Sequence, residues 1–254
     1  MQHMALYSSS IANGAILLQV TAVPDPIIAS SGNGLLVNAQ LPYLWRLAAV
    51  GTNLTRFQVQ SATMRDYAPF DCAPVNVGTV LESPLRYLDL SDAPIRFQGV
   101  EEVDIFAVQS NAGAQRVTAA IWFVDGPPRQ TQGRVFTMHW TAAITLTANA
   151  FTAVTPVFDN GIPSGLFAIV GSRQLSAGAL FHRYIPRGGV PFRPGFPSAQ
   201  AQDGYAFDGS RYTDYVPNFG EALRFNNVTI PQIEIFSVSA DTTEEGYIDM
   251  IQVG

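Results

Sequence analysis

Charged residues are scarce in this chain, and lysine is missing altogether. Of its 254 residues only 13% are charged, about half the share of roughly 25% usual in globular domains. All fourteen cations are Arg. So few charges, with 21 Gly and 17 Pro, exclude a coiled coil and a disordered acidic tail. The absence of lysine excludes a Lys-dependent phosphate loop. The net charge of −6, with no charged residue in 1–24, argues against a basic arm that coats nucleic acid.

Groups that hold metals or perform catalysis are also few. The single cysteine, Cys72, excludes an internal disulfide framework and a Cys-based zinc site. The three histidines (His3, His139 and His182) are spread along the chain, so we predict no metal site and no cofactor. No pair of acids stands in a context that indicates buried catalytic carboxylates, and we predict that the protein is not an enzyme. No run of 18 apolar residues is present, so no helix is predicted to cross a membrane.

What the chain does have is the two-residue periodicity of β-strands. In residues 136–146 the residues Phe136, Met138 and Trp140 fall on one face. Thr137, His139 and Thr141 fall on the other, so His139 reads as an ordinary strand residue on a polar face. Gly, Pro, Asn and Asp separate the strand candidates, as expected for an all-β protein. The other candidates are 15–23, 43–50, 54–61, 103–109, 116–124, 151–158, 165–171, 178–185, 222–229, 232–239 and 246–253.

The two halves of the chain resemble each other. Residues 103–110 read VDIFAVQS and residues 233–240 read IEIFSVSA, with Ile, Phe and Val identical at three positions. The alignment continues past the turn, where Val117 matches Tyr247. Just upstream, the motif Arg96-Phe97-x-x-Val100 corresponds to Arg224-Phe225-x-x-Val228. Shared order and near-equal lengths favour an internal duplication over a chance likeness between two hairpins.

The predicted fold is therefore all-β, with two tandem antiparallel β-sandwiches of jelly-roll type related by internal duplication. We expect an N-terminal arm in 1–14, a first jelly roll in 15–126, a linker in 127–134 and a second jelly roll in 135–254. Each half inserts a Pro-rich stretch, 65–95 in the first and 186–221 in the second.

The 186–221 segment is the best candidate for a functional surface, because disordered loops are poor in aromatics and this one is rich in them. It either covers the end of its own sandwich or covers a neighbouring subunit, where Tyr and Phe anchors are enriched. The neighbouring arginines belong to a stretch with six Arg and one acid. We interpret this stretch as a solvated face, or as a match to acidic patches elsewhere on the protein, rather than as a nucleic-acid site. The predicted subunit-contact residues are Phe192, Phe196, Tyr205, Phe207, Tyr212, Tyr215, Phe219, Arg183, Arg187 and Arg193.

Two similar sandwiches in one chain, without catalytic groups or a basic arm, resemble the double jelly-roll major capsid proteins of tailless icosahedral viruses that infect bacteria or archaea. The resemblance rests on this architecture and on the repeat at 103–110 and 233–240. It implies two jelly rolls side by side, homotrimers that form pseudo-hexagonal capsomers, and an icosahedral shell around a DNA genome, often above an internal membrane. The expected location is the virion, the expected partners are copies of the chain and other virion proteins, and no sequence-specific nucleic-acid binding is expected.

A different class of function also fits the sequence. A tandem β-sandwich serves equally as a binding module, such as a lectin, an adhesin or a minor virion spike component. In that case the aromatic segment would contact a sugar or a receptor. A capsid subunit should trimerise, whereas a binding module should stay monomeric or form small oligomers.

Overall fold

Antiparallel strands form almost all of the regular structure. The structure, a computed structural model, describes residues 1–14, 16–65, 70–72, 88–127, 129, 131–175, 178–188, 191–198 and 220–254. The chain divides into two compact units, which we call the first unit (His3–Gly126) and the second unit (Pro127–Gly254, with Met1–Gln2).

The described part of the first unit contains short and long strands and one helical turn, α1 (Ala62–Arg65). Its strands are β1 (Gln2–Ile11), β2 (Leu18–Val20), β3 (Ser30–Ser31), β4 (Gly34–Leu36), β5 (Tyr43–Gly51), β6 (Leu54–Ser61), β7 (Phe70–Cys72), β8 (Leu88–Asp89), β9 (Ile95–Arg96), β10 (Glu102–Gln109) and β11 (Gln115–Val124).

The described part of the second unit is built of strands. They are β12 (Val135–Ala143), β13 (Ala150–Val154), β14 (Val157–Phe158), β15 (Leu166–Leu175), β16 (Ala179–Ile185), β17 (Gly195–Pro197), β18 (Leu223–Asn226), β19 (Gln232–Ser237) and β20 (Thr243–Gln252).

Both units have the strand order of a jelly roll. In the first unit one sheet runs β1-β11-β5-β8 with β9 also on β5, and the other runs β3-β4-β10-β6-β7 with β2 also on β10. In the second unit the sheets run β14-β12-β20-β15-β18 and β13-β19-β16-β17. In each unit the last strand lies beside the first long strand. The chain crosses between the two sheets from β5 to β6 and from β10 to β11 in the first unit, and from β15 to β16 and from β19 to β20 in the second. The chain is thus an all-β protein of two tandem antiparallel jelly-roll sandwiches.

The repeated segments of the sequence occupy matching places. Ile105 on β10 and Ile235 on β19 are both fully buried and lie on the inner faces of their sheets. In each unit a buried polar contact joins the two sheets near this position. In the first unit the Tyr7 hydroxyl donates to the Val103 carbonyl oxygen at 2.6 Å. In the second, a buried serine on β15 contacts a tyrosine hydroxyl on β16.

The prediction of an arm in residues 1–14 is wrong. β1 occupies Gln2–Ile11 and lies beside β11 in the first unit's sheet. Met4 and Tyr7 have no exposed surface, and the residues between them are equally buried. A strand buried on both faces shows no polar alternation, which is why the periodicity gave no signal here.

The sequence alignment also slips by one residue in the final strands. Ser8 follows Tyr7, whose side chain reaches the opposite sheet, so Ser8 points outward. Thr118 lies 3.0 Å from Ser8 (Oγ to Oγ1) and therefore also points outward, which leaves Val117 on the inner face. Tyr247 lies on the outer face of β20, packed against a half-buried histidine. Matching Val117 with Tyr247 therefore pairs opposite faces, as a one-residue shift does in any strand.

Candidate functional site

The described part of the 186–221 segment packs on its own sandwich. β17 pairs with β16, placing Phe196 opposite His182. The Phe196 ring is fully buried, stacked on His182 at 5.8 Å and edge-on to Tyr184 at 6.1 Å between centroids. Phe192 is only 3% exposed. The prediction that Phe192 and Phe196 contact a neighbouring subunit is therefore wrong. The alternative, in which the segment covers its own sandwich, applies to both residues.

Two of the predicted contact arginines are neutralised within the second unit. Arg183 is 1% exposed, and its Nε donates to one carboxylate oxygen of Glu234 at 2.7 Å. Arg193 donates to the other oxygen at 2.6 Å. The Arg183 guanidinium also lies 3.8 Å from the centroid of the Phe151 ring, a cation–π geometry. Arg183 is thus a buried structural cation rather than a contact residue, while the exposed Arg187 stays a candidate.

The five remaining aromatic residues that were predicted as contacts lie outside the described residues, and their role stays a prediction: Tyr205, Phe207, Tyr212, Tyr215 and Phe219.

A buried polar cluster links the two sheets of the second unit. His182 lies 2.6 Å from Ser172 (Nε2 to Oγ) and 2.9 Å from Ser198 (Nδ1 to Oγ). Ser172 also lies 2.5 Å from the Tyr184 hydroxyl. Burial lowers the pKa of His182 to about 3 and raises that of Tyr184. A neutral imidazole has one donor and one acceptor nitrogen, so one serine hydroxyl donates to the ring and the other accepts from it.

This cluster resembles a nucleophile beside a general base, but its surroundings give it a structural role. Ser172 is 1% exposed and His182 is fully buried, so neither atom of the pair faces a substrate. The pair instead satisfies buried polar atoms between the sheets. Sequence reasoning did not find it, because the only signal is a serine at an inward position of an otherwise apolar strand.

A second polar group lies on the outer face of the β14-β12-β20-β15 sheet. His139 is on the polar face of β12, where the alternation predicts it. Its Nδ1 lies 2.7 Å from Asp159 and its Nε2 3.6 Å from Glu245. The ring packs against Tyr247, tilted at 44° with centroids 4.8 Å apart. This face carries His139 and two exposed acidic side chains and is open to solvent rather than an enclosed site.

A further arginine of the acid-poor stretch is also matched by an acid. Arg173 donates to Asp249 at 2.6 Å, and the Thr137 hydroxyl donates to the same carboxylate at 2.6 Å. Burial raises the pKa of Asp249 and outweighs these two interactions, which favour the charged form. Together with the two ion pairs on Glu234, this ion pair agrees with the prediction that the arginines of the acid-poor stretch are matched by acidic residues elsewhere on the protein.

The described residues show no group of three or more His, Cys, Asp or Glu side chains arranged to hold a metal ion. Over the same residues, no helix is long and apolar enough to cross a membrane.

The chain was compared with known proteins. No family model matches it, and no curated protein matches it. Among solved structures it is similar to the major capsid protein P2 from bacteriophage PM2, at 12% sequence identity, with 100% of this chain and 98% of that chain covered and a TM-score of 0.22.

Proposed function

We propose that this chain is a structural subunit of a virus shell, a major capsid protein whose trimers form pseudo-hexagonal capsomers that tile an icosahedral particle. The observation that carries the proposal is the repeated strand order: each unit has the same two jelly-roll sheets. Three chains of this kind supply six similar sandwiches, which is what a six-sided building block requires. The location that follows is the virion.

The distribution of charge supports this proposal. A protein of this size that stays alone in solution keeps a charged surface, whereas only 13% of this chain is charged. Two of the cations are not on the surface: Arg46 and Arg183 are no more than 1% exposed. Arg46 lies over the Trp45 ring at 3.7 Å and donates to Asp89 at 3.4 Å. The remaining surface is therefore poor in charge, as expected for a subunit covered by copies of itself.

The proposal implies further partners. Other virion proteins would bind the shell, and in a virus with an internal membrane that membrane would lie beneath it. Nucleic-acid recognition is not part of the proposed role, since the arginines Arg173, Arg183 and Arg193 are paired with acids of the same chain.

Negative-stain electron microscopy of the purified chain tests the proposal. Class averages with six lobes and three-fold symmetry, or closed shells, are the expected result. Particles of the size of a single chain at high protein concentration would contradict it. In that case a glycan array would test the binding-module function instead.

A further inference from the structure

Each unit exposes a valine at the same turn. Val100 is 65% exposed and directly precedes the segment that enters β10, while Val228 is 78% exposed in the turn before β19. β10 and β19 hold equivalent positions in the two units. Isolated exposed apolar residues are common and need no explanation. What distinguishes these two is that the exposure recurs at matching places of a duplicated fold.

Both turns are fixed to the core by the same kind of anchor. Phe97, three residues before Val100, is 2% exposed and lies 6.1 Å from the Phe123 ring. Phe225, three residues before the second valine, is 3% exposed and also lies 6.1 Å from an aromatic ring, that of Phe167. Each valine is therefore held at a fixed distance from a buried aromatic pair.

Side-chain hydrogen bonds hold the first turn in shape. The Gln98 N–H donates to Glu101 at 2.9 Å and lies 3.1 Å from the Thr63 hydroxyl oxygen. The Thr63 N–H donates to the other Glu101 oxygen at 2.6 Å. Burial raises the pKa of Glu101, but the bonds from Thr63 and Gln98 outweigh it and the net pKa is lowered. Gly99 adopts φ 84°, which presents Val100 at the tip of the turn.

The second turn reaches the same result through different bonds. Asn226 Oδ1 accepts the N–H groups of Val228 at 2.9 Å and Thr229 at 2.8 Å. The Thr229 hydroxyl oxygen in turn accepts the Asn226 N–H at 3.1 Å. The two turns share neither their stabilising residues nor their length, yet both keep an ordered valine in solvent. An ordered apolar side chain loses little entropy when it is covered.

We propose that Val100 and Val228 are equivalent contact points through which one copy of this chain binds another. This inference rests on the proposed function and names the surface that it uses. A partner that meets the same feature twice per chain is most simply the chain itself, because duplicated halves in a ring occupy similar positions. A lipid surface fits less well: Glu101 and Glu102 adjoin Val100, and the chain's net charge is −6.

Charge substitution at the two turns tests the inference. The variants are Val100→Glu, Val228→Glu and both together, measured by sedimentation equilibrium. Each substitution removes apolar surface from the contact and introduces a carboxylate that must be desolvated there. Each single variant should therefore weaken self-association by about tenfold or more, and the double variant should weaken it further. Both side chains are exposed, so the midpoint of thermal unfolding should stay unchanged.

Val157→Glu is the matched control. Val157 is 64% exposed on β14. At the matching place of the first unit Ala22 bridges to Tyr7, and the described residues there expose no large apolar side chain, so the exposure of Val157 does not recur. This control should associate as the wild type does. The inference is overturned if the double variant also associates as the wild type does. It is likewise overturned if the double variant loses binding to phosphatidylcholine–phosphatidylglycerol vesicles and still associates with itself. A wild-type chain that stays monomeric overturns the proposed function as well, whereas wild-type association with unaffected variants overturns the valine contacts alone.

Discussion

Acid should destabilise the second unit through His182. This histidine is fully buried and its pKa is lowered to about 3, from an ordinary value of 6.5. At pH values between these two pKa values, His182 binds a proton in the unfolded chain but not in the native state. Stability is therefore lost as the pH falls below about 6.5, and the loss continues until the pH approaches about 3.

The size of the effect follows from the shift in pKa. Each pH unit within that window costs about 1.4 kcal/mol for one proton, so a change from about pH 7 to about pH 4.5 removes about 3 kcal/mol through this residue alone. The structure explains why the native state excludes the proton. His182 has no exposed surface, and Phe196 stacks on its ring.

The assay compares urea unfolding of the wild type and His182→Gln across this pH range. Trp45→Phe and Trp122→Phe are introduced into both, so that Trp140 is the single tryptophan and reports on the second unit. Carboxylates titrate equally in both proteins, and the difference between them isolates His182. Glutamine does not titrate, so His182→Gln should be less stable at neutral pH and lose about 3 kcal/mol less on acidification.

Phe196→Leu serves as the control for general destabilisation. It weakens the packing on the same ring but keeps the titrating histidine, so its pH dependence should match that of the wild type. If the curves of wild type and His182→Gln run parallel from neutral pH to about pH 4.5, the reasoning from burial is refuted.

Three further substitutions test the packing of the second unit, each by urea unfolding with the native mass as a control. Gly246→Ala should cost at least about 1 kcal/mol, because the added Cβ would lie closer than 3.0 Å to the Trp140 ring; an unchanged midpoint would contradict this. Glu234→Gln should cost about 3 kcal/mol by leaving the buried Arg183 without its carboxylate, and a neutral effect would show that the pair is dispensable. Phe192→Ala should cost about 3 kcal/mol without weakening association, whereas lost association in a stable variant would restore its predicted role as a contact.

The sequence predicts most of the fold because the strands with one solvent-facing side alternate. β10 and β12 overlap the predicted strands 103–109 and 136–146 for this reason, each beginning one residue earlier. β1 was missed because both of its faces are buried. The predicted strand 151–158 is in fact two strands in different sheets, β13 and β14. Pro156 lies between them, and a residue without an N–H group interrupts a ladder.

The candidate site was predicted less well, because composition does not reveal which surface an aromatic segment covers. Phe196 looks like an interface anchor in sequence, yet backbone pairing of β17 with β16 places it over His182. The partners of Arg183 and Arg193 lie about forty to fifty residues away, on β19, and no local pattern indicates them. The exposed valines were visible in the aligned motifs, but their exposure needed the structure.

The mass of the native protein in solution, measured by light scattering over a range of concentrations, tests the central claim most directly. One chain has a mass of 27.5 kDa. The proposed function predicts a species of about three chain masses, or larger assemblies built from it. A stable species of one chain mass at the highest concentration would contradict the claim that this protein is a shell subunit.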